Sequence, residues 1–186
     1  MSSHPISATH TDARPTPRGF SLIELLIVVA IILVIAAIAI PNLLHARIAA
    51  NEAAAGETVR TITTASMAYS STYGNGFPPS LGALGGPPGG ASTCDLSILM
   101  DPIITVAPNT KSGYVFAYTP IGPSVIPPAG CSVAGSNAYL ITATPATEFT
   151  TGIRSFCSDE PGTIHYDTTG TTPGTQAACE ALPALQ

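Results

Sequence analysis

The sequence predicts an α+β chain: one long amino-terminal helix, a small antiparallel sheet of about four strands, and a loop-rich carboxy-terminal region. Three observations predict it. Residues 20–44 are an apolar run broken by a single charge, Glu24. Small and apolar residues then recur on one helical face as far as Tyr73, and four short β-prone segments follow residue 112. Before them, residues 1–19 are polar, rich in Ser, Thr, His and Pro, and read as a disordered leader. Its only basic residues, Arg14 and Arg18, favour leaving this end in the cytoplasm and the rest of the chain outside.

At about 1.5 Å per residue, residues 20–44 reach about 37 Å as a helix, more than the ~30 Å hydrocarbon thickness that a spanning helix must cross. Against that length, Glu24 stands out. A carboxylate in such a helix costs a few kcal/mol of insertion, so it calls for a partner that a lone copy does not supply. An amine on another copy is the nearest candidate.

Gly19-Phe20-Ser21-Leu22-Ile23-Glu24, followed by a long apolar stretch that contains Pro41, resembles the class III signal of type IV pilins and their pseudopilin relatives. The resemblance covers about residues 18–44. It implies the type IV pilin fold, with the first half of the long helix transmembrane, and cleavage between Gly19 and Phe20 by a membrane prepilin peptidase that also methylates the new amino terminus at Phe20. Assembly into a homo-oligomeric helical filament on an inner-membrane platform would follow, with Glu24 meeting the Phe20 amine of a neighbouring subunit. The implied location is the bacterial inner membrane for the single-pass precursor and an extracellular pilus afterwards. An ordinary signal peptide fits less well, because its apolar core is about 7–15 residues and is cut after the core.

Residues 45–73 continue the helix as an amphipathic segment. Ile48, Ala55, Val59, Ile62, Ser66, Tyr69 and Tyr73 share one face at helical spacing, while Arg47, Asn51, Glu57 and Arg60 fall outside it. Gly74-Asn75-Gly76 and Phe77-Pro78-Pro79 stop the helix. Within it, Pro41 removes a backbone hydrogen bond and predicts a kink, and Gly56 permits a bend or close packing. Residues 74–112 form a long connection resembling the variable loop of pilins, with a short helical turn expected near residues 95–100. Strands are expected at residues 113–119, 138–144, 152–157 and 162–167, giving a meander within residues 113–167. An irregular tail occupies residues 168–186, where the threonines of 168–172 read as polar filler before glycan sites.

The four cysteines lie in the half of the chain that the topology sends to an oxidising compartment, and none forms a Cys-x-x-Cys element. Disulfides are therefore expected. Three pairings exist; their neighbourhoods favour Cys157 with Cys179, tying the tail to a strand, and Cys94 with Cys131, tying two connections.

Only 9% of residues are charged, and the 17 glycines and 18 prolines demand many loops. Without the leader the chain keeps four basic and ten acidic side chains. Such a surface disfavours nucleic acid, whose affinity rests on clustered Lys and Arg; the one patch to weigh is Arg60, Lys111 and Arg154. Catalysis has no local signature, since His165 stands alone in a strand and no Gly-x-Ser-x-Gly occurs. No cofactor is called for. Asp159 and Glu160 read as a solvated turn before a calcium loop, which needs six to eight oxygens. The expected function is a structural pilus subunit, a prepilin. The alternatives are a pseudopilin of a type II secretion system, or a minor pilin acting as adhesin or DNA-uptake receptor.

Overall fold

The computed structural model describes residues 19–123 and 127–185. Residues 1–18 of the leader, with His4, His10, Arg14 and Arg18, lie outside them. The chain divides into two units, Met1–Pro41 and Asn42–Gln186. Helix α1, Leu22–Tyr73, supplies the stem of the first and the backing helix of the second, and its helical assignment continues through Pro41.

The second unit is built where α1 becomes amphipathic. Ile48, Ala55, Val59, Ile62, Ser66 and Tyr69 are all buried, so the predicted stripe is the face turned to the sheet. Strands β1 Thr110–Lys111, β2 Tyr114–Pro123, β3 Ser136–Pro145, β4 Ser155–Ser158 and β5 Ile164–Asp167 form one antiparallel sheet in sequence order. The layout is α+β and pilin-like. Aromatic rings fill the space between the layers: Tyr69, Tyr114, Tyr139 and Phe156 are fully buried, Phe77 meets Tyr139 edge-on at 4.8 Å, and Tyr118 stacks on Tyr139 at 5.4 Å.

Several boundaries differ from the sequence expectation, each for a local reason. Strand β2 runs past residue 119 through Pro120, which pairs with Tyr139. Proline is tolerated there because β1 covers only Tyr114 and Val115, leaving that stretch of β2 at the sheet edge. Strand β1 is a fifth strand of two residues. The helical turn expected at residues 95–100 lies instead at α3, Pro102–Thr105, where Asp101 caps the turn by accepting from the Ile103 N–H at 2.9 Å and proline occupies the first turn. A second short helix, α2 Leu81–Leu84, buries Leu81, Ala83 and Leu84.

The carboxy-terminal tail is less irregular than its composition promises. Helix α4, Gln176–Glu180, is capped by Thr175. The tail then pairs with β5: Tyr166 N–H donates to the Pro183 carbonyl at 3.0 Å, and Leu185 N–H to the Ile164 carbonyl at 2.7 Å. Gly56 serves close packing, because a Cβ there would lie 3.3 Å from Leu185 Cδ2. Two disulfides tie the loops. Cys94–Cys131 links the long connection after α1 to the β2–β3 connection, and Cys157–Cys179 links β4 to α4.

Candidate functional site

The stem begins with Gly19 and Phe20, exposed and outside the helix. Ser21 precedes the first helical residue, and its backbone N–H donates to Glu24 Oε2 at 3.1 Å. This is the reach-back arm of a capping box, in which the third helical residue satisfies an orphan donor at the helix start. The Ser-x-x-Glu spacing was the signal that would have found it. Among the described residues Glu24 takes one hydrogen bond, and it uses one of its two carboxylate oxygens.

From Leu25 to Pro41 the stem offers only apolar side chains. Every large apolar side chain from Phe20 to Leu44 is exposed, and α1 is long and apolar enough to cross a membrane. A continuous apolar surface of this kind is stable only under lipid or under other protein chains.

In the second unit the chemistry-bearing side chains are engaged in holding the fold. Glu52, 6% exposed, accepts at Oε1 from the backbone N–H of Ile153 and Arg154, at 2.9 and 3.0 Å. Its Oε2 takes the Arg154 guanidinium through Nε at 2.8 Å and Nη2 at 2.7 Å. Burial alone would raise this carboxyl, but the two backbone donors and Arg154 hold it below the usual range. The guanidinium also lies over the rings of Phe156 and Tyr166 at 5.9 and 5.5 Å. Tyr114 donates to the Arg154 carbonyl at 2.7 Å, and a Cβ on Gly152 would run into that phenol. Arg60 pairs with Glu57 at 3.0 Å on the surface. Of the basic side chains weighed as a patch, Arg60 and Arg154 are therefore each committed to a glutamate.

His165 Nδ1 lies 2.7 Å from the Leu182 carbonyl, pinning the tail. Glu160 accepts from the Tyr139 N–H at 3.0 Å and from Gln176 Nε2 at 2.7 Å. Among the described residues no group of three His, Cys, Asp or Glu side chains is arranged to hold a metal ion. Asp159, 1% exposed, turns its carboxyl inward, with Oδ2 unpaired by any donor. Burial pushes its pKa up, and Glu180 and Glu160 push it further.

Asp159 and Glu52 act on stability with opposite signs. The raised group favours folding below the ordinary aspartate range and loses that contribution as pH rises through its folded value; the lowered group contributes above the ordinary glutamate range and is lost on acidification. Asp159→Asn is therefore expected to raise the melting temperature at neutral pH and leave it unchanged in acid. Each kcal/mol recovered would move Tm by about 2–4 °C. Thermal melts of the full chain in detergent across pH 3–8 check this; an equal shift at every pH would remove the carboxyl's protonation as the cause.

An exposed apolar stem with one carboxylate at its head, joined to a small disulfide-linked α+β domain, defines a class of protein whose amino-terminal helix is long and apolar enough for a membrane anchor. The comparisons give that class a family. Residues 14–40 match the prokaryotic N-terminal methylation motif. Thirty-five residues, 19% of this chain, are 66% identical to the type IV wide pilus major component PilA4 of Thermus thermophilus, and cover 27% of that relative's length. Both likenesses are short: the motif spans residues 14–40 and the relative is matched over about a quarter of its length. No solved structure matches the chain.

Proposed function

We propose that this chain is a prepilin, the precursor of a structural subunit of a type IV pilus. In this reading the leader is removed between Gly19 and Phe20, Phe20 is methylated, and the stems of many copies bundle while the disulfide-linked domains face outward. The observation that supports it most is the pairing of a bare apolar helix with a lone carboxylate at its head, inside a matched methylation motif. Lipid covers the stem before assembly and sibling stems cover it afterwards; Glu24 and the new Phe20 amine set the register between neighbours. The likeness of 35 residues to part of a wide-pilus major component favours a main structural subunit.

The test is mass spectrometry of surface fibres sheared from cells. Fibres built mainly of this chain, beginning at an N-methylated Phe20, are the expected result. A chain that keeps its first nineteen residues in every cellular fraction would overturn the reading. A secretion defect without surface fibres would transfer the same stem to a pseudopilin.

A further inference from the structure

The two disulfides present different faces to solvent. Cys157 and Cys179 are both fully buried, at 0% exposure, so neither sulfur of that bond is open to attack from outside. Cys94 is also enclosed, but its partner Cys131 is only partly buried. Cys131 closes a turn in which its N–H donates to the Pro128 carbonyl at 3.0 Å, and Ala129, Gly130, Ser132 and Val133 on either side of it are exposed. Of the four cysteines it is the one that an external thiol can reach, and access decides which disulfide sulfur is attacked.

The enclosed end of the same bond is furnished for a departing thiolate. Asn75, itself buried, donates from Nδ2 to Cys94 Sγ at 3.3 Å, and the Tyr69 hydroxyl lies 3.2 Å from the same sulfur. A disulfide sulfur carries no proton, so the phenol is the donor in that contact, shared with the Cys94 carbonyl at 2.9 Å. Donors aimed at a sulfur favour its charged form and lower its pKa, and the thiol of lower pKa leaves faster. The two connections also hold together without the covalent bond. Asp95 accepts from the Ser132 N–H at 2.9 Å and from its hydroxyl at 2.7 Å. Asn75 donates to the Val133 carbonyl at 3.0 Å and accepts from the Gly135 N–H at 3.1 Å, while Phe77 and Ser136 exchange backbone hydrogen bonds at 2.8 and 2.9 Å. Once opened, the sulfurs of Cys94 and Cys131 therefore stay near one another, and closure is an oriented intramolecular step.

We propose that Cys131 is a reversible thiol-modification site: an external thiolate attacks its sulfur, forms a mixed disulfide there and expels Cys94 as the thiolate. One S–S bond forms as one breaks, and the electron pair of the broken bond passes to Cys94 Sγ, where the Asn75 amide and the Tyr69 hydroxyl meet it. Attack by Cys94 on Cys131 Sγ restores the original bond and releases the thiol; attack by a second thiolate on the mixed disulfide leaves both cysteines reduced. Because Cys131 is only partly exposed, the partner is a low-molecular-mass thiol, not a thiol held on the surface of a folded protein. The Cys157–Cys179 bond takes no part and keeps the tail on β4. The inference stands on the domain alone and is independent of what the stem does.

The unmodified full chain in detergent is incubated with reduced glutathione in mildly alkaline buffer, quenched in acid at intervals, alkylated in denaturant and mapped by mass spectrometry. The expected products carry glutathione on the Cys131 peptide and the alkyl group on Cys94, and the Cys94–Cys131 bond opens at least about tenfold faster than Cys157–Cys179. Glutathione on Cys94 beside a free Cys131 would overturn the proposal. So would equal rates at the two bonds, which mark exchange through global unfolding, or an intact Cys94–Cys131 bond after the time in which denatured chain exchanges completely. Tyr69→Phe supplies the second measurement: it removes one donor from the leaving sulfur and leaves Cys131 untouched, so opening is expected to slow by about threefold. An unchanged rate in that variant would overturn the assignment of Cys94 as the assisted leaving group.

Discussion

Replacing Glu52 with alanine is expected to destabilise the disulfide-linked domain by about 3 kcal/mol, the low end for breaking a buried ion pair from one side. The low end applies because the Arg154 side chain remains 38% exposed, so water can recover part of its charge, whereas the Glu52 side chain is 7% exposed. The substitution also strands the N–H groups of Ile153 and Arg154, which share one carboxylate oxygen. Unsatisfied donors of this kind contribute about 1–3 kcal/mol of loss each when fully buried. Three kcal/mol corresponds to a fall in Tm of about 6–12 °C for a domain of this size. Glu52→Gln separates the causes: its carbonyl still accepts both backbone donors while the charge is gone, so about half the loss is expected. Arg154→Lys keeps the charge but loses the forked contact and the stacking over Phe156 and Tyr166, with a loss of about 1–2 kcal/mol. Thermal melts of the full chain in detergent measure all three. A Glu52→Gln variant as unstable as Glu52→Ala would show that the charge pair, not the backbone donors, governs this corner.

That corner also shows where the sequence was readable and where it was not. Positions 48, 55, 59, 62, 66 and 69 announce the buried face of α1 because helical periodicity is a property of neighbouring residues. The same stripe has a seven-residue gap between Ile48 and Ala55, and Glu52 fills it. A glutamate on a buried face is the mark of a partnered charge, but its partner is Arg154, about a hundred residues away, and no local pattern connects them. The meander was legible from four short β-prone runs; β1, two residues long, carries no period at all. The tail read as irregular because its pairing with β5 rests on backbone groups of residues 183–185, which side-chain composition does not encode. Residues 144–151 read as a turn between two strands, but the left-handed backbone and exposed ring of Phe149 appear only in the folded turn. The amino-terminal determinants were legible in a different way. In the proposed reading Gly19, Phe20 and Glu24 lie within six positions of one another on a linear segment, so their spacing is itself the site, whereas every engaged side chain of the domain is defined by the fold.

Replacing Glu24 with valine is expected to leave membrane insertion and leader cleavage intact while reducing surface fibres by more than tenfold. The asymmetry follows from where the charge is unfavourable. Among the described residues the carboxylate takes one hydrogen bond, from Ser21 N–H at 3.1 Å, which does not replace the hydration lost on entering the bilayer; valine removes that cost and inserts at least as well. In the proposed filament the carboxylate gains the Phe20 amine of a neighbour, a charge-assisted contact that strengthens as water is excluded. Every stem bears both groups, so the loss repeats at each junction, and a tenfold change in one association step needs only about 1.4 kcal/mol. Glu24→Gln is the decisive companion. Glutamine keeps an oxygen for the Ser21 N–H and so preserves the helix cap, but it offers the amine no charge. Fibre counts by electron microscopy, with immunoblots of membrane fractions for insertion and cleavage, should place Glu24→Gln beside Glu24→Val. If Glu24→Gln assembles normally while Glu24→Val does not, the cap at the start of α1 is what the filament requires, and charge pairing between siblings is excluded as the source of register.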